Sequence, residues 1–123
     1  VLIVQGAAER FVAGVIGIAD GYTTGTGVVF PRISSLIESE FLRGNLAQLR
    51  KLIAKFAPVE LMRAEHGTGY NVAPLKKMLE IAYGIGDGRT RPRVMDLLPS
   101  DESRLREIMA PLVAYEKELS DGV

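Results

Sequence analysis

Apolar residues recur along this chain in two rhythms. Residues 1 to 4, VLIV, are an unbroken apolar run closing on Gln5-Gly6. A run without polar alternation predicts a strand buried on both faces, as in parallel sheets. Residues 7 to 19, AAERFVAGVIGIA, place Phe11, Val15 and Ile18 at helical spacing, with Val12 and Ile16 beside them. Glu9 falls in the first turn, where a negative charge suits the helix dipole. Gly14 and Gly17 each cost about 1 kcal/mol of propensity and suit a helix packed closely on a sheet. Gly21 to Thr26 then reads as a second strand, so the segment predicts a β-α-β unit with parallel strands and a right-handed crossover. Two strands do not cover an apolar strand, because stable sheets need three or more. The VLIV strand is therefore expected to belong to a larger sheet, with pairing to another molecule as the alternative.

Beyond Pro31 the rhythm is helical throughout. Ile33, Leu36, Ile37 and Phe41 form one stripe that Gly44 stops. Asn45 caps the next helix, with Leu46, Leu49, Ile53 and Phe56 on its apolar face and Gln48, Arg50, Lys51 and Lys55 opposite. Pro58 is expected to kink or restart that helix. EHGTGYN, 65 to 71, reads as a loop, with Asn71 as a cap and Pro74 in the following first turn. Leu75, Met78, Leu79 and Ala82 make the next stripe, and GIGDGRTRPR, 84 to 93, is again loop. Ser100 is placed as the cap of the last helix, which carries Asp101 and Glu102 in its first turn and Leu105, Ile108, Met109 and Leu112 inward. Pro111 is expected to bend it.

Composition narrows the chemistry. Fifteen acidic and fifteen basic residues among 123 cancel, so nothing draws the chain towards nucleic acid or an anionic membrane. No apolar run approaches the roughly 18 residues that a membrane span needs. The chain has no cysteine, which excludes disulfides and thiolate chemistry and fits a reducing cytoplasm, the expected location. His66 is the single histidine, so multi-histidine metal sites are excluded.

The densest candidate is DGYTTGTGVVFPR, Asp20 to Arg32. Gly25-Thr26-Gly27 fails the dinucleotide fingerprint, because Phe30 stands where the third glycine belongs, and no Gly-Lys-Ser/Thr follows for a phosphate loop. The remaining readings are a tight turn at a strand end and a strand end facing substrate, as in α/β enzymes. His66 has no visible nucleophile partner. Arg89, Arg91 and Arg93 alternate in RTRPR and read as a solvated loop rather than a basic face. Tyr22 and Tyr70 are capable of proton relay, and nothing local distinguishes that from packing.

In order along the chain, VLIVQG with Ala7-Ala8-Glu9, Ala19-Asp20-Gly21 with TTGTG and Pro31-Arg32, Arg43-Gly44-Asn45-Leu46, Asn71 with Ala73-Pro74-Leu75-Lys76, and Gly88-Arg89 with Arg91-Pro92 and Leu98 resemble the C-terminal part of the dihydrodipicolinate synthase / N-acetylneuraminate lyase family. The resemblance implies an α/β fold: residues 1–43 as the last two strands of a (β/α)8 TIM barrel, and 44–123 as a helical C-terminal extension. It implies part of a Schiff-base lyase acting on pyruvate or another 2-keto acid, with no metal or organic cofactor. The catalytic lysine and tyrosine would precede Val1, leaving no catalytic residue here and an inactive isolated segment. Lys51, Lys55, Lys76, Lys77 and Lys117, all in expected helices, are not substitutes. Carried over as substrate-side positions are Gly6, beside the keto-acid carboxylate, and Thr23, whose backbone approaches lysine and substrate. TTGTGV replaces the family's small apolar residues and asparagine, so synthase, aldolase and dehydratase activities stay open. Expected partners are the 2-keto acid, the rest of the barrel and further copies of the protein. The alternatives are a stand-alone nucleotide-binding βα module and a non-enzymatic helical interaction domain.

Overall fold

Val4 and Gln5 (β1) pair with Gly21 and Tyr22 (β2), and the two strands run parallel, as the β-α-β reading required. The computed structural model describes residues 1–5 and 20–122. Gly6 and the helix expected over 7 to 19 lie outside the described residues.

β2 is shorter than expected. Thr24 Oγ1 accepts the Gly27 N–H at 2.8 Å, and the backbone turns into a one-turn helix, Thr26–Val29 (α1), instead of extending the strand. A threonine hydroxyl that captures a nearby amide gives the backbone an alternative to a sheet ladder. Val1 to Val4 are all exposed, against the expected burial on both faces. Among the described residues the sheet has only β1 and β2, so no further strand flanks VLIV.

Four longer helices follow: Pro31–Leu42 (α2), Leu46–Arg63 (α3), Ala73–Tyr83 (α4) and, after a 3-10 turn at Pro99–Asp101, Glu102–Asp121 (α5). Gly44, at φ 72°, ends the α2 segment in the left-handed conformation that glycine adopts without strain. Asn45 caps α3 as expected, accepting from the Gln48 N–H at 3.3 Å. Val29, Phe30, Ile33, Ile37, Leu49, Leu52, Phe56, Val59, Met62, Tyr70, Met78, Leu105, Met109 and Leu112 belong to one continuous core. That core crosses the position of Gly44, where the barrel and extension were divided from sequence.

Several local expectations shift. The α3 face rotates inward through Leu49, Leu52, Phe56 and Val59, and Leu46 is left exposed. Neither proline interrupts its helix: α3 continues through Pro58 and α5 through Pro111. Proline removes the bond to the carbonyl four residues earlier, and in both helices that residue, Ala54 or Glu107, is an exposed one. Val72, not Asn71, is the N-cap of α4, and Asp101, not Ser100, that of α5, because the 3-10 turn carries the chain one residue further.

The start of α2 has no local side-chain cap. Its free donors are met from the far end of the chain. Buried Glu116, on α5, accepts the Arg32 N–H at 2.8 Å and the Ile33 N–H at 3.0 Å. An acidic group at a helix N-terminus also suits the helix dipole. Replacing Glu116 by alanine leaves both amides unpaired and is expected to cost about 2–3 kcal/mol, and glutamine, which keeps an acceptor, distinctly less. Urea unfolding of the three proteins checks the order.

Candidate functional site

The loop leaving β2 is the place where sequence signals converge. From Gly21 to Gly27, Thr23 is the exposed residue and its neighbours are partly or fully buried. Tyr22 Oη donates to the Ser34 carbonyl at 2.8 Å, which fixes the strand end to α2. Beneath the loop, buried Thr26 donates through Oγ1 to Glu60 Oε1 at 2.5 Å. Arg63 Nη1 donates to the same Glu60 oxygen at 2.7 Å and to Thr26 Oγ1 at 3.3 Å. The guanidinium then grips Asn71, Nε to its carbonyl at 2.9 Å and Nη2 to its Oδ1 at 2.8 Å. Asn71 is therefore engaged as an acceptor rather than as the expected cap.

The phosphate-loop reading fails on geometry as well as on spacing. A phosphate loop presents free backbone amides to the anion. Here the Gly27 N–H goes to Thr24 Oγ1, the Val28 N–H to the Gly25 carbonyl and the Phe30 N–H to the Thr26 carbonyl.

His66, the loop histidine, sits at φ 54° with its ring 4.4 Å from that of Tyr70. One ligand atom each from Glu65, His66 and Asp101 lie within 4.8 Å of one another, the arrangement among the described residues that could hold a metal ion. Its carboxylates are already compensated. Arg104 donates to both Glu65 oxygens, at 2.8 and 2.6 Å, and reaches Asp101 at 3.2 Å. Tyr70 Oη donates to Asp101 Oδ2 at 2.7 Å and accepts the Leu98 N–H at 2.9 Å. Burial, and then the bond to Asp101, raise the Tyr70 phenol above its ordinary value, so it serves as a buried strut and not as a ready proton donor.

The lysines are poor nucleophiles by placement. The bond to Glu80, with Glu102 beside it, raises Lys77 above the ordinary lysine value and keeps it protonated. Lys76 donates to the Arg89 carbonyl at 3.0 Å, and Lys55 lies 4.6 Å above the Tyr115 ring. Arg89, Arg91 and Arg93 are exposed, on a loop organised by Thr90, whose N–H and Oγ1 both donate to Asp96 Oδ1. Among the described residues, no helix is long and apolar enough to cross a membrane.

Of the two substrate-side positions, Thr23 is exposed at the C-terminal end of β2 and Gly6 is outside the described residues. Sequence reading missed Glu60 and Arg63. Each sits on a helix where a charge is ordinary, and their link to Thr26 spans 34 and 37 residues. The single local signal was a Glu and Arg three apart, compatible with any exposed ion pair.

A parallel strand pair that runs straight into packed helices is an α/β arrangement. It is similar to the crystal structure of dihydrodipicolinate synthase from Oceanobacillus iheyensis, with a TM-score of 0.77 and 30% sequence identity over 89% of this chain. The likeness read from the five motifs is thus borne out in three dimensions. This chain spans 37% of the length of that synthase. The two described strands form no barrel by themselves. No family model and no curated protein matches the sequence.

The Glu65–Arg104 pair has a pH signature. Arg104 donation holds Glu65 below its ordinary value of 4.5. A depressed carboxyl adds stability above that ordinary value and loses it as pH falls through the folded-state value. Arg104→Ala should lower the melting temperature at about pH 6, and the gap to the unaltered protein should shrink as the pH falls below the ordinary carboxyl value. A gap that persists undiminished in acid would show that Arg104 acts by packing alone.

Proposed function

We propose that this chain is the C-terminal part of a class I, Schiff-base-forming lyase that acts on pyruvate or another 2-keto acid in the cytoplasm. The observation that carries the proposal is the similarity to dihydrodipicolinate synthase over 89% of the chain. Uncovered VLIV supports it, since neighbouring barrel strands supplied by the rest of the polypeptide would bury that run. So does Thr23, exposed where a barrel strand ends, the face on which (β/α)8 enzymes build their sites. Residues 1–43 then close the barrel and 44–123 form the extension. Further copies of the protein are expected partners.

In the intact enzyme a lysine upstream of Val1 supplies the amine. Its nitrogen bonds the keto carbon, the carbonyl oxygen leaves as water, and the iminium withdraws electrons while a carbon–carbon or carbon–oxygen bond is made or broken. An upstream tyrosine relays the proton. Gly6 and the Thr23 backbone line the keto-acid side. The chain's own part is to shape that wall, and the paired or helix-bound lysines described above do not enter the chemistry.

Pyruvate with borohydride is expected to trap a secondary amine on the full-length polypeptide, by hydride addition to the iminium carbon, and none on residues 1–123 alone. Mass spectrometry reads both. An adduct on the isolated segment would overturn the upstream placement of the lysine, and no adduct on the full-length protein would overturn the lyase reading.

A further inference from the structure

The charged pair under the β2 loop has a cost that stability alone does not explain. Glu60 and Arg63 side chains are only 10% and 12% exposed. Buried ion pairs stabilise little compared with apolar residues of the same volume, because desolvating both charges offsets their attraction. What they supply is direction. A hydroxyl donating to a carboxylate at 2.5 Å is a short, charge-assisted bond with a narrow geometry.

That bond reaches the loop three residues after Thr23. A second contact backs the loop one residue earlier. A methyl group on Gly25 would lie 2.6 Å from Leu75 Cδ1 and 3.0 Å from Arg63 Nη2, so α3 and α4 press directly on the backbone there. On the other flank Tyr22 Oη is bonded to the Ser34 carbonyl. The exposed residue, Thr23, is held between these two anchors.

We propose that Thr26, Glu60 and Arg63 are positioning residues: the helical part sets the place of the Thr23 backbone, and through it the affinity for the keto acid. This rests on the lyase reading above. A site residue displaced by an ångström can lose binding or rate even though the fold persists.

The test uses the full-length protein and measures the pyruvate concentration giving half-maximal borohydride trapping, with the melting temperature of each variant. Thr26→Val keeps the shape and removes the hydroxyl, whereas Thr26→Ser keeps the hydroxyl. Half-saturation is expected to rise about tenfold in Thr26→Val and to stay within about twofold in Thr26→Ser. Arg63→Lys retains the charge but loses the fork to Asn71, and should raise half-saturation too. It stands in for Thr26→Val should that variant not fold. If the unaltered protein traps pyruvate and both variants saturate as it does, whatever their melting temperatures, the positioning role is overturned and the lyase reading stands. If the unaltered protein traps nothing, the lyase reading fails and takes this inference with it.

Discussion

The two amide bonds accepted by Glu116 are the constraint on which the helical array depends. A helix begins with N–H groups that have no partner within it, and burying them unpaired is costly. The start of α2 lies against α5 and carries no cap of its own, so the array closes only when Glu116 arrives from 83 to 84 residues downstream. Helix α2 packs on α1, α3 and α5. Once its start is pinned, Phe30, Ile33 and Ile37 share one core with Phe56, Leu105 and Leu112. Phe30 and Phe56 meet there with ring centroids 6.1 Å apart.

Against this closed helical array the sheet is incomplete. β1 and β2 share a two-residue ladder, and the VLIV run has no described cover. The two parts meet at Thr26, where α1 begins: Glu60 and Arg63 bind it from α3, while Tyr83 Oη donates to the Val29 carbonyl from the end of α4. Whatever the strand ends contact, their loop is shaped from the helical side. That division of labour fits the proposal that the reacting groups of a lyase stand elsewhere in the polypeptide.

Much of the helical layout was legible because its signals are local. Stripes at Ile33/Ile37, Leu75/Met78 and Leu105/Met109/Leu112 each announce a face within one helix. Gly44 and Asn45 mark a boundary by backbone freedom and a short acceptor side chain. The errors came where a side chain or a tight turn used a partner that the element pattern does not predict. Asn71 looks like a cap in isolation, but Arg63 claims both its carbonyl and its Oδ1, and Ser100 gives up the cap position to Asp101 because a 3-10 turn intervenes. Thr24 looked like strand and instead captured the Gly27 amide.

The amino-acid order alone therefore determined the kind of elements, most of their limits, and a family likeness carried by short motifs, since all of these rest on neighbours a few residues apart. Only the tertiary structure decided which charges are structural. Glu60 with Arg63, Glu116 with the start of α2, and Glu65 with Arg104 each read in sequence as ordinary surface charge. Their roles come from partners 34 to 84 residues away, and pairing over such separations leaves no periodic trace along the chain.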